Sequence, residues 1–309
     1  MNFSVTVLGS GAATPTFSRH CSAQVVNLYG VKMLIDCGES SQNQLRQYHV
    51  KMQSIHTIFL SHLHGDHFFG LPGLLSTMHL CGRVEPLTVY GPPGIKESLE
   101  LLFKVSGTEL RYELSVVELN FDEMRTIHEE KSFCVKAFPL HHSVPTYGYI
   151  FEEKPPLLNL RKGIRDRYGL THDDCLRIKQ GEDLQLPDGT LVPNSELTMP
   201  PRLPRRYAYC CDTAFSDDLI EAVRGVDLLC TESTFDNAFL SLAEERCHLT
   251  AAQAATLARQ AGVGHLMLTH FSQRYKDIDV LLNEARDIFP ETFAANDGLL
   301  YEIPSRLAN

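Results

Sequence analysis

Short apolar runs alternate with polar turns at the start of the chain. Three runs rich in β-branched residues cover residues 5–9, 23–28 and 31–35, and glycine, proline or polar turns separate them. This pattern predicts an opening antiparallel meander. A fourth apolar run, over residues 55–60, predicts a buried strand that leads directly into a histidine-rich segment. We therefore expect those histidines to lie on a loop.

The remaining periodic segments alternate between helix and strand patterns. The predicted helices cover residues 40–48, 73–80, 94–104 and 250–260, and the predicted strands cover residues 113–119, 133–139, 206–211, 226–231 and 265–269. Strand-rich halves interleaved with helices favour an α/β fold in which two sheets stack between helical layers. The expected architecture is a four-layer αββα sandwich, formed by a single domain over residues 1–309.

One long interval, residues 152–206, lacks a clear core element and is rich in proline, glycine and charge. Within residues 154–180, seven lysines and arginines stand against three aspartates, which gives a local charge of +4 in a chain whose net charge is -10. We interpret this interval as an inserted, protruding arm. Its cations also weaken the argument that a net negative chain excludes a nucleic-acid partner.

Composition is that of an ordinary globular protein, with 43% hydrophobic and 21% charged residues among 309. No apolar run approaches the ~18 residues of a membrane span, and the first ten residues do not have the pattern of a signal peptide. We expect a cytoplasmic protein without a membrane partner. The nine cysteines include no C-x-x-C pair, which argues against a disulfide framework or a thiolate zinc site.

The strongest chemical signal is the motif His62-x-His64-x-Asp66-His67. In an extended segment, residues two apart point the same way, so His62 and His64 can converge on one cation while Asp66 and His67 face a second. Imidazole and carboxylate ligands without thiolate favour Zn²⁺, with Mn²⁺ or Fe as other possible occupants. The alternative is a polar loop that is rich in histidine by chance.

Three further motifs at predicted strand ends could complete such a site. His141 and His142 follow the strand over residues 133–139, while Asp212 and His270 follow two later strands. Strand ends are where a sheet brings distant residues together. A lone histidine or aspartate at a strand end is more often structural, so the weight of these residues depends on the first motif.

Together these motifs make the chain resemble the metallo-β-lactamase superfamily and, within it, the ribonuclease Z family, endonucleases that trim the 3′ end of precursor tRNA. The resemblance extends over nearly the whole chain. It is carried by VLGSGA at 7–12, SHLHGDH at 61–67, YGY at 147–149, CDT at 211–213, ESTF at 232–235, HLT at 248–250 and THFSQRY at 269–275.

The resemblance implies a set of roles for individual residues. One zinc ion is expected on His62, His64 and His142, a second on Asp66, His67 and His270, with Asp212 bridging both. His141 stays open as an alternative to its neighbour His142. The resemblance also implies that Asp66 orients or deprotonates the attacking water, and that His248, oriented by Glu232, protonates the leaving 3′ oxygen. No nucleotide cofactor is expected.

Two features depart from the family pattern. Phe17 and His20 occupy loop positions where the family usually has lysine and asparagine, so Phe17 either stacks on a base or covers an edge of the core. The arm lacks the Gly-Pro tip that is frequent in the family. Its cations instead suit contacts with backbone phosphates, or form an ordinary solvated surface or dimer contact. The expected substrate-binding residues are Arg19, Phe17, Ser272, Arg274, Arg161, Lys162, Arg165 and Arg167.

Precursor tRNA is the expected partner, and the resemblance implies a homodimer in which the arm of one subunit holds tRNA for the site of the other. The main alternative is a dinuclear zinc hydrolase of the same fold that acts on a small ester, lactone or cyclic phosphodiester. A catalytically silent RNA-binding module is the third possibility. The basic arm, His248 and the segment 271–275 favour the tRNA endonuclease.

Overall fold

The structure, a computed structural model, describes residues 3–305, so both ends of the predicted domain, residues 1–2 and 306–309, lie outside the described residues. The described chain separates into two compact units. The first contains residues 3–151 and 206–303, and the second contains residues 152–205 with residues 304–305.

Regular elements occupy most of both units. The strands of residues 3–305 are, in chain order, β1 (Phe3–Gly9), β2 (Ala23–Leu28), β3 (Val31–Ile35), β4 (Ile55–Phe59), β5 (Leu87–Gly91), β6 (Leu114–Glu118), β7 (Arg125–Glu129), β8 (Phe133–Leu140), β9 (Thr146–Glu153), β10 (Asn159–Leu160), β11 (Leu184–Gln185), β12 (Leu191–Val192), β13 (Thr198–Met199), β14 (Arg206–Cys210), β15 (Leu228–Glu232), β16 (His265–Thr269), β17 (Thr292–Ala294) and β18 (Leu300–Glu302). The α-helices are α1 (Ser41–Gln47), α2 (Gly65–Phe68), α3 (Leu71–Leu80), α4 (Ile95–Ser106), α5 (Ile164–Tyr168), α6 (His172–Lys179), α7 (Asn194–Leu197), α8 (Asp217–Ala222), α9 (Leu240–Glu245), α10 (Ala251–Ala261) and α11 (Asp279–Arg286). Short 3₁₀ helices cover Met52–Ser54 and Asn237–Phe239.

Two mixed sheets of seven strands form the first unit. One has the order β18-β1-β2-β3-β4-β5-β6, in which pairing is antiparallel from β18 to β3 and parallel from β3 to β6. The other has the order β17-β16-β15-β14-β9-β8-β7, with parallel pairing from β14 to β17. The carboxyl ends of the parallel strands in each sheet therefore meet at one edge of that sheet.

Three apolar clusters hold the layers of the first unit together. The central cluster packs side chains of both sheets against each other, among them Phe59, Tyr149 and Tyr209. One outer cluster packs α1, α3 and α4 on the first sheet, and the other packs α8, α10 and α11 on the second. Burial of these faces drives the stacking. The predicted αββα fold is confirmed.

The second unit has a small core of its own, although the sequence predicted no core element there. It is formed around α5, α6 and the two antiparallel strand pairs β10–β13 and β11–β12. The buried apolar side chains are those of Ile164, Leu170, Ile178, Leu184, Val192 and Leu197. The buried carboxylate of Glu153 pairs with both Arg202 and Arg205. The helices α5 and α6 have only five and eight residues, so the sequence shows no clear helical period in this unit.

Most predicted elements of the first unit lie within two residues of the observed ones. The sequence analysis predicted neither β7, whose charged residues give no alternating pattern, nor β9, nor the short helices α8 and α9. It also placed the whole metal motif on a loop, whereas Asp66 and His67 lie on the short helix α2. Thr250 caps α10 through a reciprocal capping box with Gln253. No helix of residues 3–305 is long and apolar enough to cross a membrane.

Candidate metal centre

The predicted ligands all lie at strand ends of the first unit or just beyond them. His62 follows β4 and precedes α2, which carries Asp66 and His67. Asp212 follows β14 and His270 directly follows β16. The remaining ligand candidates, His64 and His142, lie on the loops after β4 and β8.

The backbone is strained where the chain leaves these strands. Asp212 and His270 have positive φ angles of 60° and 59°, in the left-handed region that non-glycine residues rarely adopt. Asp36, which follows β3, has a φ angle of 54°. Such conformations cost of order 1–3 kcal/mol each and persist where the surrounding structure enforces them.

Four residues form a first cluster. His64 Nδ1 lies 3.3 Å from His142 Nε2, and His62 Nε2 lies 3.5 Å from Asp212 Oδ2. His142 Nε2 is 3.8 Å from the same carboxylate oxygen. His62 Nε2 is buried without a hydrogen-bond partner among the described residues. A buried nitrogen of this kind is costly unless it binds something, and here three other ligand atoms surround it.

A second cluster lies beside the first. His67 Nε2 and His270 Nε2 are 3.4 Å apart, and His270 Nε2 lies 3.2 Å from Asp212 Oδ1 and 3.3 Å from Asp66 Oδ2. Asp212 thus presents Oδ2 to the first cluster and Oδ1 to the second. This is the geometry in which one carboxylate can bridge two ions.

The outer nitrogens of the histidine rings bind groups that orient the inner nitrogens toward the centre. His67 Nδ1 lies 2.7 Å from Asp36, His142 Nδ1 donates to the carbonyl of Cys247 at 3.1 Å, and His270 Nδ1 lies 2.9 Å from Thr234 Oγ1. Because these bonds occupy Nδ1, each ring can offer the lone pair of Nε2 to a metal. The donor set fits divalent metal ions.

The charges of the centre favour a cation. Burial opposes protonation of His67, but the carboxylates of Asp212, Asp36 and Asp66 outweigh it and raise the pKa of His67 to about 10. Burial likewise opposes ionisation of Asp212, and the neighbouring histidines hold its pKa well below the usual range. Binding of a metal ion to His67 would therefore displace a proton from its ring.

His248 and Glu232 form a hydrogen-bonded pair next to the metal clusters. His248 Nδ1 lies 2.9 Å from the fully buried carboxylate of Glu232, which also accepts from the backbone of Thr213 and the hydroxyl of Thr234. Burial alone would lower the pKa of His248, but Glu232 raises it to about 9. A pKa raised in this way favours the protonated form of His248 at neutral pH.

Sequence reasoning missed three residues of this region. Asp36 accepts from His67, Ser61 and Tyr209, and its place after the predicted strand 31–35 was the signal that could have revealed it. Thr234 links His270 to Glu232, a relation with no signature in the sequence. Arg246 is exposed and lines a cavity of about 320 Å³ together with His248 and five of the predicted ligands: His64, Asp66, His142, Asp212 and His270.

The two neighbouring histidines after β8 occupy different positions. His142 belongs to the first cluster, with its side chain 3% exposed, whereas His141 is exposed and lines a different cavity. Among the residues described, no metal-ligand group includes His141.

A larger cavity of about 580 Å³ contains two of the predicted substrate-binding residues, Arg19 and Ser272. The guanidinium of Arg19 donates to Ser10, Ala295 and Asn296 and lies 4.5 Å from the ring centre of Phe271, so it is held in place by the fold. Arg274 stacks on Phe239 and Phe235.

Phe17 is fully exposed and does not cover an edge of the core. The four predicted arm cations lie in the second unit, where all are exposed: Arg161, Lys162, Arg165 and Arg167. Of these, Arg161 donates to the carbonyl of Ser195 at 3.2 Å and Arg167 stacks on Tyr168.

Known proteins resemble the chain over nearly its full length. Ribonuclease Z of Porphyromonas gingivalis is 41% identical, with 97% of this chain and 99% of that protein covered. Ribonuclease Z of Phocaeicola vulgatus is 42% identical, with 98% of each chain covered. The chain belongs to the ribonuclease Z family. This confirms the expected placement among the endoribonucleases, which are hydrolases.

Solved structures agree with membership of the ribonuclease Z family. The crystal structure of human tRNase Z, short form, matches with a TM-score of 0.71 at 30% identity and covers 97% of this chain and 99% of its own. The metallo-β-lactamase fold protein YhfI from Bacillus subtilis matches with a TM-score of 0.70 at 20% identity, which shows the fold alone. The family model described as Anti-Pycsar protein Apyc1 matches residues 3–155.

Proposed function

We propose that this member of the ribonuclease Z family is a zinc-dependent endonuclease that cleaves precursor tRNA after the discriminator nucleotide. The observation that carries the proposal is Asp212, whose two carboxylate oxygens face two separate ligand clusters beside a histidine that is paired with a buried carboxylate. That combination suits hydrolysis of a phosphodiester, because both the attacking and the leaving oxygen need assistance.

Two divalent ions, when bound by these clusters, acidify a water and stabilise charge on the phosphate. His62, His64 and His142 would hold one ion, Asp66, His67 and His270 the other, with Asp212 shared. The absence of thiolate from the predicted ligands favours Zn²⁺ over softer metals, while Mn²⁺ and Fe remain compatible.

Asp66 is suited to orient the attacking water. Its Oδ2 accepts the backbone N–H of Ala13 at 2.7 Å and lies 3.3 Å from His270, and the described residues offer no hydrogen bond to Oδ1. Oδ1 is thus available to accept from the water. Despite burial, His67 and His270 hold the pKa of Asp66 below its usual range, so Asp66 is a weak base and acts mainly by orientation.

His248 supplies the proton for the leaving group. As the water oxygen bonds to phosphorus, one proton of the water passes by way of Asp66 Oδ1 to solvent. The bond from phosphorus to the 3′ oxygen breaks, and His248 Nε2 transfers its proton to that oxygen. Glu232 stabilises the charged form of His248 before the transfer. The products are a tRNA with a 3′-hydroxyl and a trailer with a 5′-phosphate.

Substrate affinity is proposed to come from cations outside the metal clusters. Arg246 lines the cavity of the centre and can contact a phosphate oxygen. The exposed cations of the second unit suit the phosphates of a folded RNA, which carry shape rather than sequence. The homodimer implied by the family resemblance and the cytoplasmic location expected from the sequence stay predictions.

The deciding experiment compares His248→Ala with the unchanged protein on two substrates, a 3′-extended precursor tRNA and bis-p-nitrophenyl phosphate. A p-nitrophenolate leaves without a proton, whereas a ribose oxygen needs one. We expect tRNA cleavage to fall about 100-fold or more and hydrolysis of the small diester to change little. Chelation should abolish both reactions, and zinc should restore them.

Two results would contradict the proposal. Hydrolysis of the small diester with intact precursor tRNA at micromolar protein would reassign the protein to the hydrolases of small substrates. Equal losses on both substrates in His248→Ala would remove the proton-donor role. His265→Ala, which changes a histidine at the start of β16, is the matched control and should leave both rates unchanged.

A further inference from the structure

Two adjacent cysteines at the end of β14 have different surroundings. Cys210 and Cys211 are both fully buried, but Cys210 packs in the outer cluster beneath the helices and Cys211 in the cluster between the sheets. Neither belongs to the predicted metal ligands. The pair therefore offers two buried thiols at nearly the same place, of which one lies next to the metal centre.

The thiol of Cys211 contacts the bridging carboxylate. Its Sγ donates to Asp212 Oδ1 at 3.2 Å. Sγ also lies within 4.8 Å of ligand nitrogens of His67 and His270 in the second cluster. Successive side chains of a strand point to opposite faces, so this contact between neighbours requires the chain to leave strand geometry, as the φ angle of 60° at Asp212 does.

A bridging carboxylate must keep each oxygen assigned to one ion. The last torsion of an aspartate side chain is soft, so rotation would otherwise exchange or misalign the two oxygens. On the other side, Asp212 Oδ2 faces His62 Nε2 at 3.5 Å. A donor bound to Oδ1 alone breaks the equivalence of the oxygens and holds Oδ1 toward the second cluster.

We propose that Cys211 is a positioning residue that fixes the bridging carboxylate through its S–H group and thereby strengthens metal binding at the second cluster. The inference rests on the two-ion centre proposed above. Hydrogen bonds to ligating carboxylates typically change metal affinity 10–100-fold. A thiol is a weak donor, so the expected effect is at the lower end, about tenfold.

The test is a metal titration of the metal-free protein with Co²⁺ and with Zn²⁺, followed by absorbance and by competition with a chelator. Three variants are compared with the unchanged chain: Cys211→Ala, Cys211→Ser and Cys210→Ala. The Cys210→Ala variant is the matched control, because it removes an equally buried thiol from the adjacent position. Near-ultraviolet circular dichroism establishes that each variant is folded.

We expect Cys211→Ala to weaken binding of one ion about tenfold while the other ion is bound within threefold of its original affinity. The hydroxyl of Cys211→Ser should restore the affinity, and Cys210→Ala should bind as the unchanged protein does. The Co²⁺ spectra should contain no sulfur charge-transfer band.

Three outcomes would overturn the positioning role. Equal losses in Cys211→Ala and Cys210→Ala would show that only packing matters. Failure of Cys211→Ser to restore binding would exclude the hydrogen bond. A sulfur charge-transfer band that disappears in Cys211→Ala would make Cys211 a direct ligand. If the unchanged protein bound fewer than two ions, the two-ion proposal itself would fail, which is a distinct result.

Discussion

The metal centre and the basic segment of the second unit use charge in opposite ways. In the first unit, His62, His67 and Asp212 are almost fully buried, and several partners constrain both His67 and Asp212. In the second unit, the cations between residues 161 and 167 are exposed, and two of the four, Arg161 and Arg167, contact another residue of that unit.

This contrast indicates what each region contributes. Buried polar groups are costly unless every partner is in place, so the centre is sensitive to the loss of a single atom. Exposed cations act through long-range attraction that salt screens, and one can partly replace another. The centre should therefore respond to single changes in an all-or-none manner, and the basic segment in a graded, additive one.

The largest effect is expected for Asp212→Ala. Because this carboxylate serves both clusters, its loss should remove most bound metal and lower kcat/KM for precursor tRNA about 10⁴-fold. Metal content by mass spectrometry and single-turnover cleavage measure the two quantities. Asp218→Ala, on the exposed side of α8, is the control. Retention of two ions in Asp212→Ala would refute the bridging role.

Glu232→Gln tests the electrostatics of the proton donor. His248 acts while protonated, so cleavage should be lost as pH rises through its pKa of about 9. Removing the carboxylate should move this pKa down toward 6.5, and the alkaline limb of the kcat profile should move with it. Rates at pH 8 should fall about tenfold or more. An unshifted limb would assign the titration to another group.

Neutralising the basic segment should give a smaller and graded effect. Alanine at Arg161, Lys162, Arg165 and Arg167 together should raise KM for precursor tRNA about tenfold and reduce its salt dependence, with kcat and small-diester hydrolysis unchanged. Each single change should raise KM a few-fold at most. Arg259→Ala in α10 of the first unit is the control. Equal effects from that control would show that the segment has no special role.

The smallest effect is expected for Phe17→Ala. The ring is fully exposed, so its removal should leave the melting temperature unchanged. Loss of a stacked base should raise KM about threefold to tenfold for precursor tRNA. Thermal unfolding and steady-state cleavage are the measurements. A large drop in melting temperature would instead support a packing role for the ring.

The sequence by itself determined much of the fold and most of the centre. Periodicity predicted β1 to β4, α10 and β16 closely, because apolar positions repeat wherever one face of an element is buried. The ligand candidates could be selected because metal chemistry needs specific side-chain types, and His62, His64, Asp66 and His67 lie within six residues.

Only the tertiary structure decided which distant groups meet, and by which atoms. Asp36 and Thr234 orient two of the ligands from other strand ends. Only its place after a predicted strand marks Asp36 in the sequence, and nothing local marks Thr234. The assignment of Asp212 Oδ1 and Oδ2 to different clusters depends on a left-handed backbone that aspartate adopts only when its surroundings impose it. The sequence specifies the types of side chain, whereas the distances between them in the site result from the packing of the two sheets.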